Sequence, residues 1–167
     1  MNTSGWPEDN YYFNYGVTKI LRDKEYKNLK KLIIVNLTGV NVAKLIKSSV
    51  LSFRAHYGII IIYDTNQRPL ADYLFSTRNH VIAIFPIFNC VLRIQDFLLG
   101  IGIKETRPAQ PSLTHKEFQA LNFYVRGFTA TEHAEMQGIN IKTVYTHRSH
   151  VIMKLGLRKL SDLFIRH

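Results

Sequence analysis

Residues 138–157 read GINIKTVYTHRSHVIMKLGL, and the reading of this stretch decides the fold. Asn140 is a helix-capping residue type and Gly156 a helix stop, so the spacing predicts one helix between them. At about 100° per residue, Val144, Val151, Ile152 and Leu155 form a single apolar stripe that must pack inward. Lys142, Tyr145, Thr146, Ser149 and Met153 fall on the opposite side. That outer face carries hydroxyls and a lysine instead of the mixed charges of an ordinary solvated surface. Such groups donate to and accept from base edges and phosphates.

The sequence upstream gives this helix a setting. SLTHKEFQALNFYVRG (112–127) opens with Thr114 and carries Glu117 three residues later, a capping box, before ending at a glycine. TATEHAEMQG (129–138) repeats the pattern with Thr129, Glu132 and Gly138. Two short helices, a turn and a longer basic helix predict a helix-turn-helix. From Gly138 onward six basic residues stand against one acid, whereas 104–137 holds four of each. The positive charge is therefore confined to the last helices. LSDLFIRH (160–167) predicts the start of a fourth helix with Ser161 as its cap.

These residues resemble the LuxR/FixJ (NarL-like) family of bacterial transcription regulators. The resemblance runs from SLTHKEFQAL through RGFTATEHAEMQGINIKTVYTHRSHVIMKLGLRKLSDL, and its most specific part is the Gly-Ile turn, the Lys-Thr-Val start, the following His and the Lys-Leu-Gly end. It implies a four-helix DNA-binding domain that acts as a dimer through its last helix. The sequence departs from the pattern at His133, where the family has a buried aliphatic residue, and at Met136 and Gln137, which exchange polar and apolar positions. A core histidine is the favoured reading of His133 over a pH switch, because no partner for it is evident.

A recognition helix presents its N-terminal outward face to the major groove. Tyr145, Thr146 and Ser149 are therefore the expected base readers, with Lys142, Thr143, Lys154 and His147 at flanking phosphates. Without Arg, Asn or Gln on this face, base discrimination is expected to be modest, with backbone and shape contacts carrying much of the affinity. Arg148 falls toward the inner stripe. Its expected role is an aliphatic stem on the core with the guanidinium at the rim, paired with Glu117.

The N-terminal half has a different rhythm. KLIIVNL (31–37), GIIIIYD (58–64) and HVIAIFP (80–86) read as buried strands of a parallel sheet. NVAKLIKSSVLSFRAH, PLADYLFSTR and FNCVLRIQDFLLG read as helices between and after them, and 11–30 as holding another before the first strand. Alternating strands and helices predict an α/β doubly wound sheet. The expected division is a receiver-like α/β domain over 1–101, a Pro-containing linker over 102–112 and an all-α helix-turn-helix domain over 113–167. The α/β part resembles a truncated, degenerate receiver, since some 30 residues before the first clear strand are too few for a full β-α-β-α lead-in. Asn36 stands at the phosphoryl-accepting aspartate position, Asp64 or Thr65 near the hydroxyl position, and Phe85 in the lysine position before Pro86. No phosphorylation is expected, because a carboxamide cannot form an acyl phosphate. The aromatic N-terminus GWPEDNYYFNY favours core or covering residues over an interface.

Composition agrees. The formal charge of +10 points to a polyanionic partner, and 46% hydrophobic residues allow a packed core. The single cysteine, Cys90, excludes an intrachain disulfide or multi-cysteine zinc cage and reads as a buried structural thiol. No signal peptide or bilayer-length apolar run is evident, so a cytoplasmic protein is expected. No glycine-rich phosphate loop, metal-spaced His/Asp set or nucleophile elbow appears. The sequence thus predicts a non-enzymatic regulator with double-stranded DNA as partner, self-association or pairing with another regulator, and no cofactor or metal. The rival reading is an interaction partner or anti-regulator that does not bind DNA specifically by itself.

Overall fold

The computed structural model describes residues 4–21, 31–38, 41–48, 50, 57–101 and 113–164. The expected linker, 102–112, lies outside the described residues, as do most of the basic run 19–31 and the C-terminal half of the helix expected over 41–56.

Four parallel strands form one sheet in the order β1 (Ser4–Trp6), β2 (Lys31–Leu37), β3 (Tyr57–Tyr63), β4 (Val81–Pro86). Three follow the apolar runs. β1 is the one the sequence hides, because SGW is too short to show periodicity; it pairs with β2 from Ser4↔Ile33 to Trp6↔Val35. The helices are α1 (Tyr11–Leu21), α2 (Asn41–Lys47), α3 (Arg68–Thr77) and α4 (Cys90–Leu99). Side chains alternate across the sheet with period two. Ile33, Val35, Leu37, Ile59, Ile61 and Tyr63 face one core together with residues of α2 and α3. Ile34, Ile60, Ile62 and Phe85 face a second core with Val17 and Ile20 of α1 and Ile94 of α4.

This placement has a topological consequence. The strands step across the sheet in one direction, so crossovers of uniform hand would leave all three connecting helices on one face. Instead α1 lies opposite α2 and α3. In the doubly wound order 2-1-3-4-5 the first connection steps the other way, which places its helix on the opposite face under the usual right hand. Deleting strand 2 from that order leaves 1-3-4-5, which is the observed sheet. Among the described residues the fold is a doubly wound sheet without its outer strand, in line with the short lead-in.

The C-terminal helices are α5 (His115–Val125), α6 (Ala130–Gln137) and α7 (Ile141–Lys154), followed by a single 3₁₀ turn (Leu160–Phe164). Both predicted capping boxes form: Thr114 with Glu117, and Thr129 with Glu132. Gly138 (φ 62°) closes α6 in the left-handed region and Gly156 (φ 60°) sits in the turn after α7, a conformation costly for other residues. The expected fourth α-helix is corrected to the 3₁₀ turn. Ser161 lies inside that turn instead of capping it, and the Asp162 carboxylate, also within the turn, reaches back to accept from the Arg158 and Lys159 amides at 3.2 and 3.1 Å.

The helical half is docked on the α2/α3 side of the sheet. Leu113, Leu121, Val125, Val151, Leu155, Leu160 and Leu163 belong to the same buried cluster as the sheet residues. Tyr73 of α3 stacks on Phe118 of α5 at 4.4 Å between ring centres, and its hydroxyl meets His115 Nδ1 at 3.0 Å. Lys47 Nζ lies 5.2 Å above the Phe164 ring, and the 3₁₀ turn rests against α2. An apolar core shared across two domains couples their unfolding. Thermal denaturation followed by circular dichroism is expected to show one cooperative transition, and a fragment of residues 113–167 a lower midpoint; two separate transitions in the full chain would contradict the shared core.

Two expectations about single residues change. Cys90 is only half-buried, at the first turn of α4, and burial raises its thiol pKa. Tyr11, Tyr12 and Tyr15 are exposed on α1 instead of filling the core, because α1 turns Val17 and Ile20 inward and these three outward.

Candidate nucleic-acid interface

Helix α7 is capped by Asn140, whose side-chain oxygen accepts the Lys142 amide at 2.8 Å. Val144, Val151 and Leu155 are buried at 0–1% exposure and Ile152 is half-buried, so the predicted inner stripe packs as its spacing requires. Val144 packs with Ala130 and Ala134 of α6, while Val151 and Leu155 join the main core. Lys142, Thr143, Tyr145, Thr146, Ser149 and Met153 are all exposed, on one side of the helix. Tyr145 is 56% and Met153 70% exposed, so both side chains are free to meet a partner on this face. The Thr146 hydroxyl donates back to the Lys142 carbonyl at 3.0 Å, leaving its oxygen lone pairs and methyl outward. His147 is half-buried, with Nδ1 enclosed and unpartnered.

Lys154 requires a correction. It is not on the free face but in an ion pair, its Nζ 2.8 and 2.7 Å from the two Glu117 carboxylate oxygens. Glu117 is 3% exposed. It also accepts the Thr114 amide at 2.8 Å, and His150 Nδ1 lies 3.3 Å from its Oε1. Burial alone would raise the Glu117 pKa, but the Lys154 and Thr114 hydrogen bonds outweigh it and hold the carboxyl below its usual range. This cluster ties the start of α5 to the last turn of α7, and so fixes how α7 lies on α5.

Arg148 requires the complementary correction. It does not reach Glu117, which Lys154 already holds. Its Nη2 donates to the Phe128 carbonyl at 3.0 Å and its guanidinium lies 5.1 Å above the Tyr124 ring. The rim position predicted from phasing stands, with a different partner. Arg148→Ala is expected to lower stability by about 2 kcal/mol, the scale of a charge-assisted hydrogen bond plus a cation–π contact. The salt dependence of DNA binding should stay unchanged; a shallower dependence would place Arg148 on a phosphate instead.

The departures at α6 now have structural explanations. His133 is 1% exposed and its ring stacks on Phe123 at 4.3 Å with a 10° interplanar angle. Burial, then the nearby Arg148 and His147 charges, lower its pKa, so a neutral ring fills the aliphatic position. Gln137 turns toward α5, where its Oε1 accepts from Gln119 at 2.7 Å, while Met136 is exposed.

In the sheet domain, Asn36 is 9% exposed near the end of β2 and its Oδ1 accepts the Thr38 hydroxyl at 2.8 Å. Asp64 caps the 3₁₀ turn Thr65–Gln67 by accepting the Asn66 amide at 3.0 Å. Phe85 is buried edge-on to Phe97. Asp9 forms a 2.7 Å ion pair with Lys44. Asp9, Thr38 and Asp64 line one side of a cleft at the strand ends, and Gly156 and Arg158 line the other. Among the described residues no group of His, Cys, Asp or Glu is arranged to hold a metal, and no helix is long and apolar enough to cross a membrane.

A parallel α/β domain followed by a capped helix-turn-helix with an open, basic last α-helix is the plan of a DNA-binding transcription regulator. The chain belongs to the family defined by the EcpR N-terminal domain, which matches residues 1–90, and residues 111–166 match bacterial regulatory proteins of the luxR family. It is 25% identical over 170 residues to the uncharacterized protein YqeH of Escherichia coli K12, a match covering 96% of this chain and 79% of that one. Over 52 residues it is 40% identical to the transcriptional regulatory protein TdiR of Thauera aromatica, covering 31% of this chain and 23% of that protein. Among solved structures it is similar to the response regulator RcsB in complex with DNA, at 18% identity and a TM-score of 0.41 over 93% of this chain and 92% of that one. A second RcsB structure, from Salmonella typhimurium, has 19% identity and a TM-score of 0.43 over 98% and 96% of the two chains.

Proposed function

We propose that this chain is a cytoplasmic, sequence-specific DNA-binding regulator whose helix α7 enters the major groove, and whose activity is set by protein association instead of phosphoryl transfer. The observation that carries the reading is the exposed Lys142–Thr143–Tyr145–Thr146–Ser149 face on a helix whose other sides are packed. Tyr145, Thr146 and Ser149 read base edges. Lys142 and Thr143, whose side chains are exposed at the helix start, hold phosphates, with His147 at the flank. Lys154 supports the helix through Glu117. The chain works as a homodimer or paired with another regulator.

The α/β domain then acts as a pseudo-receiver. The Asn36 carboxamide cannot form an acyl phosphate, and Phe85 cannot pair with one. Incubation with labelled acetyl phosphate and Mg²⁺ is expected to give no stably labelled protein; labelling that survives denaturation would sink the pseudo-receiver reading. The DNA reading is tested by binding of the full chain to sequences enriched from a genomic library, measured by fluorescence anisotropy over a range of salt. Affinity should fall steeply with salt while preference over random DNA persists. Absence of binding at low salt would favour the anti-regulator.

A further inference from the structure

Pro7, Thr38 and Asp64 directly follow β1, β2 and β3, and all three line one cleft of about 780 Å³. β1 leads to α1 on one face of the sheet, and β2 leads to α2 on the other. In an open α/β sheet the chain parts at such a point and leaves a crevice at the carboxyl ends of the strands, where ligands bind. The volume is that of a small-molecule site. The wall facing the sheet comes from the helical half, through Gly156 and Arg158.

The carboxylates of this cleft are already engaged. Asp9 pairs with Lys44 at 2.7 Å, Asp64 accepts the Asn66 amide at 3.0 Å, and Asp162 accepts the Arg158 and Lys159 amides. The groups left over are of another kind. Asn41 is 8% exposed, and its carboxamide has no hydrogen-bond partner among the described residues. The Arg158 guanidinium is exposed and has no ion pair among those residues. Tyr11 and Tyr12 also line the cleft, both largely exposed, with their rings edge to face at 5.8 Å.

We propose that this cleft binds a small organic anion that carries a planar ring. A guanidinium presents its N–H groups as a fork that matches two oxygens of a carboxylate or phosphate. A buried carboxamide without a partner is costly, and an anionic oxygen or ring heteroatom supplies the missing hydrogen bond. The tyrosine rings select a planar group by offset or edge-on stacking. A cation does not suit the cleft, because its carboxylates already hold donors. Asn41 sits on the sheet half and Arg158 on the helical half, so the anion ties the two together. The site does not rest on the DNA-binding reading, since it is read by ligand binding to the free chain.

Isothermal titration calorimetry on the full chain tests the site with guanosine monophosphate and benzoate, which join a ring to an anion. Inorganic phosphate and phenol each offer one without the other. At least one ring-bearing anion is expected to bind about ten times more tightly than phosphate or phenol, or better. Which of the two does so tells a nucleotide from an aromatic carboxylate. Arg158→Ala should weaken that binding about tenfold or more, with an unchanged melting midpoint because its side chain is exposed. Asn41→Leu should weaken it too, while its melting midpoint equals or exceeds the parent's, since an apolar group replaces an unpartnered polar one. A purely structural Asn41 would instead lose stability on that substitution. Failure of both ring-bearing anions to bind, phosphate or phenol binding as tightly as they do, or either variant binding like the parent would overturn the proposal.

Discussion

Replacing Glu117 with alanine is expected to lower the unfolding free energy by about 2–4 kcal/mol, somewhat under the range of about 3–5 kcal/mol for breaking a fully buried ion pair from one side, because the Lys154 side chain is 27% exposed. The carboxylate is almost fully buried and holds the Thr114 amide, Lys154 and His150 together. Its loss leaves the first turn of α5 without half of its capping box and Lys154 without its counter-ion. Glu117→Gln keeps an acceptor for the Thr114 amide but loses the charge, so it should fall between alanine and the parent. The pH dependence has a definite sign. The folded-state pKa of Glu117 is lowered, so its contribution is complete above the unfolded value of about 4.3. It is lost as pH falls below that, through the lowered folded value. His133 also has a lowered pKa, so its contribution is present above about 6.5 and declines as pH falls from there toward the folded value. Urea unfolding should show stability falling first below pH 6.5 and again below about 4.3, the second fall being shallower in Glu117→Ala but not lost, because the Thr129 hydrogen bonds also hold the Glu132 carboxyl below its usual range. A Glu117→Ala variant within 0.5 kcal/mol of the parent, about the ordinary scatter for surface substitutions, would mean that Lys154 and Thr114 are as well satisfied by water.

The members of this cluster are legible in the sequence, but their pairing is not. The Thr114–Glu117 and Thr129–Glu132 boxes follow from local spacing, because both partners lie within one turn of a helix. Phasing separates the inner from the outer face of α7 for the same reason. Which cation meets Glu117 is a question of how α5 crosses α7, and periodicity carries no information about crossing. Lys154, nearer the C-terminus of α7, takes the carboxylate expected for Arg148, and Arg148 takes the Phe128 carbonyl. In the sheet domain the three long strands are continuous apolar runs buried on both faces, a pattern that needs no partner to be recognised. β1 has no such pattern, since its three residues gain their strand conformation from pairing with β2. The exposure of the α1 tyrosines is equally hidden, because a single sequence does not say which side of an aromatic-rich helix meets the sheet.

The reading face permits a sharper test than loss of binding alone. Lys142→Ala and Tyr145→Ala are each expected to weaken binding to the preferred DNA by about 1–3 kcal/mol, and together by roughly a hundredfold or more. The two act differently. Lys142 lies at the first turn of α7, its side chain exposed and its amide held by Asn140, so the side chain is available to a phosphate. Its removal should weaken binding to all sequences alike and reduce the salt slope by about one unit. Tyr145 is uncharged and 56% exposed in the middle of the face. Its removal should leave the slope unchanged and narrow the gap between preferred and random DNA. Tyr145→Phe separates two ways in which the ring can act: if the hydroxyl bonds a base edge, Phe behaves like Ala, whereas if the ring packs on a thymine methyl or sugar, Phe keeps most of the affinity. Neither substitution should move the melting midpoint, because neither side chain belongs to a core cluster. If both variants bind as the parent does, at every salt concentration, the DNA-contacting surface is not α7. The remaining exposed cations of the helical half, such as Lys159 in the turn after α7, would then have to carry it.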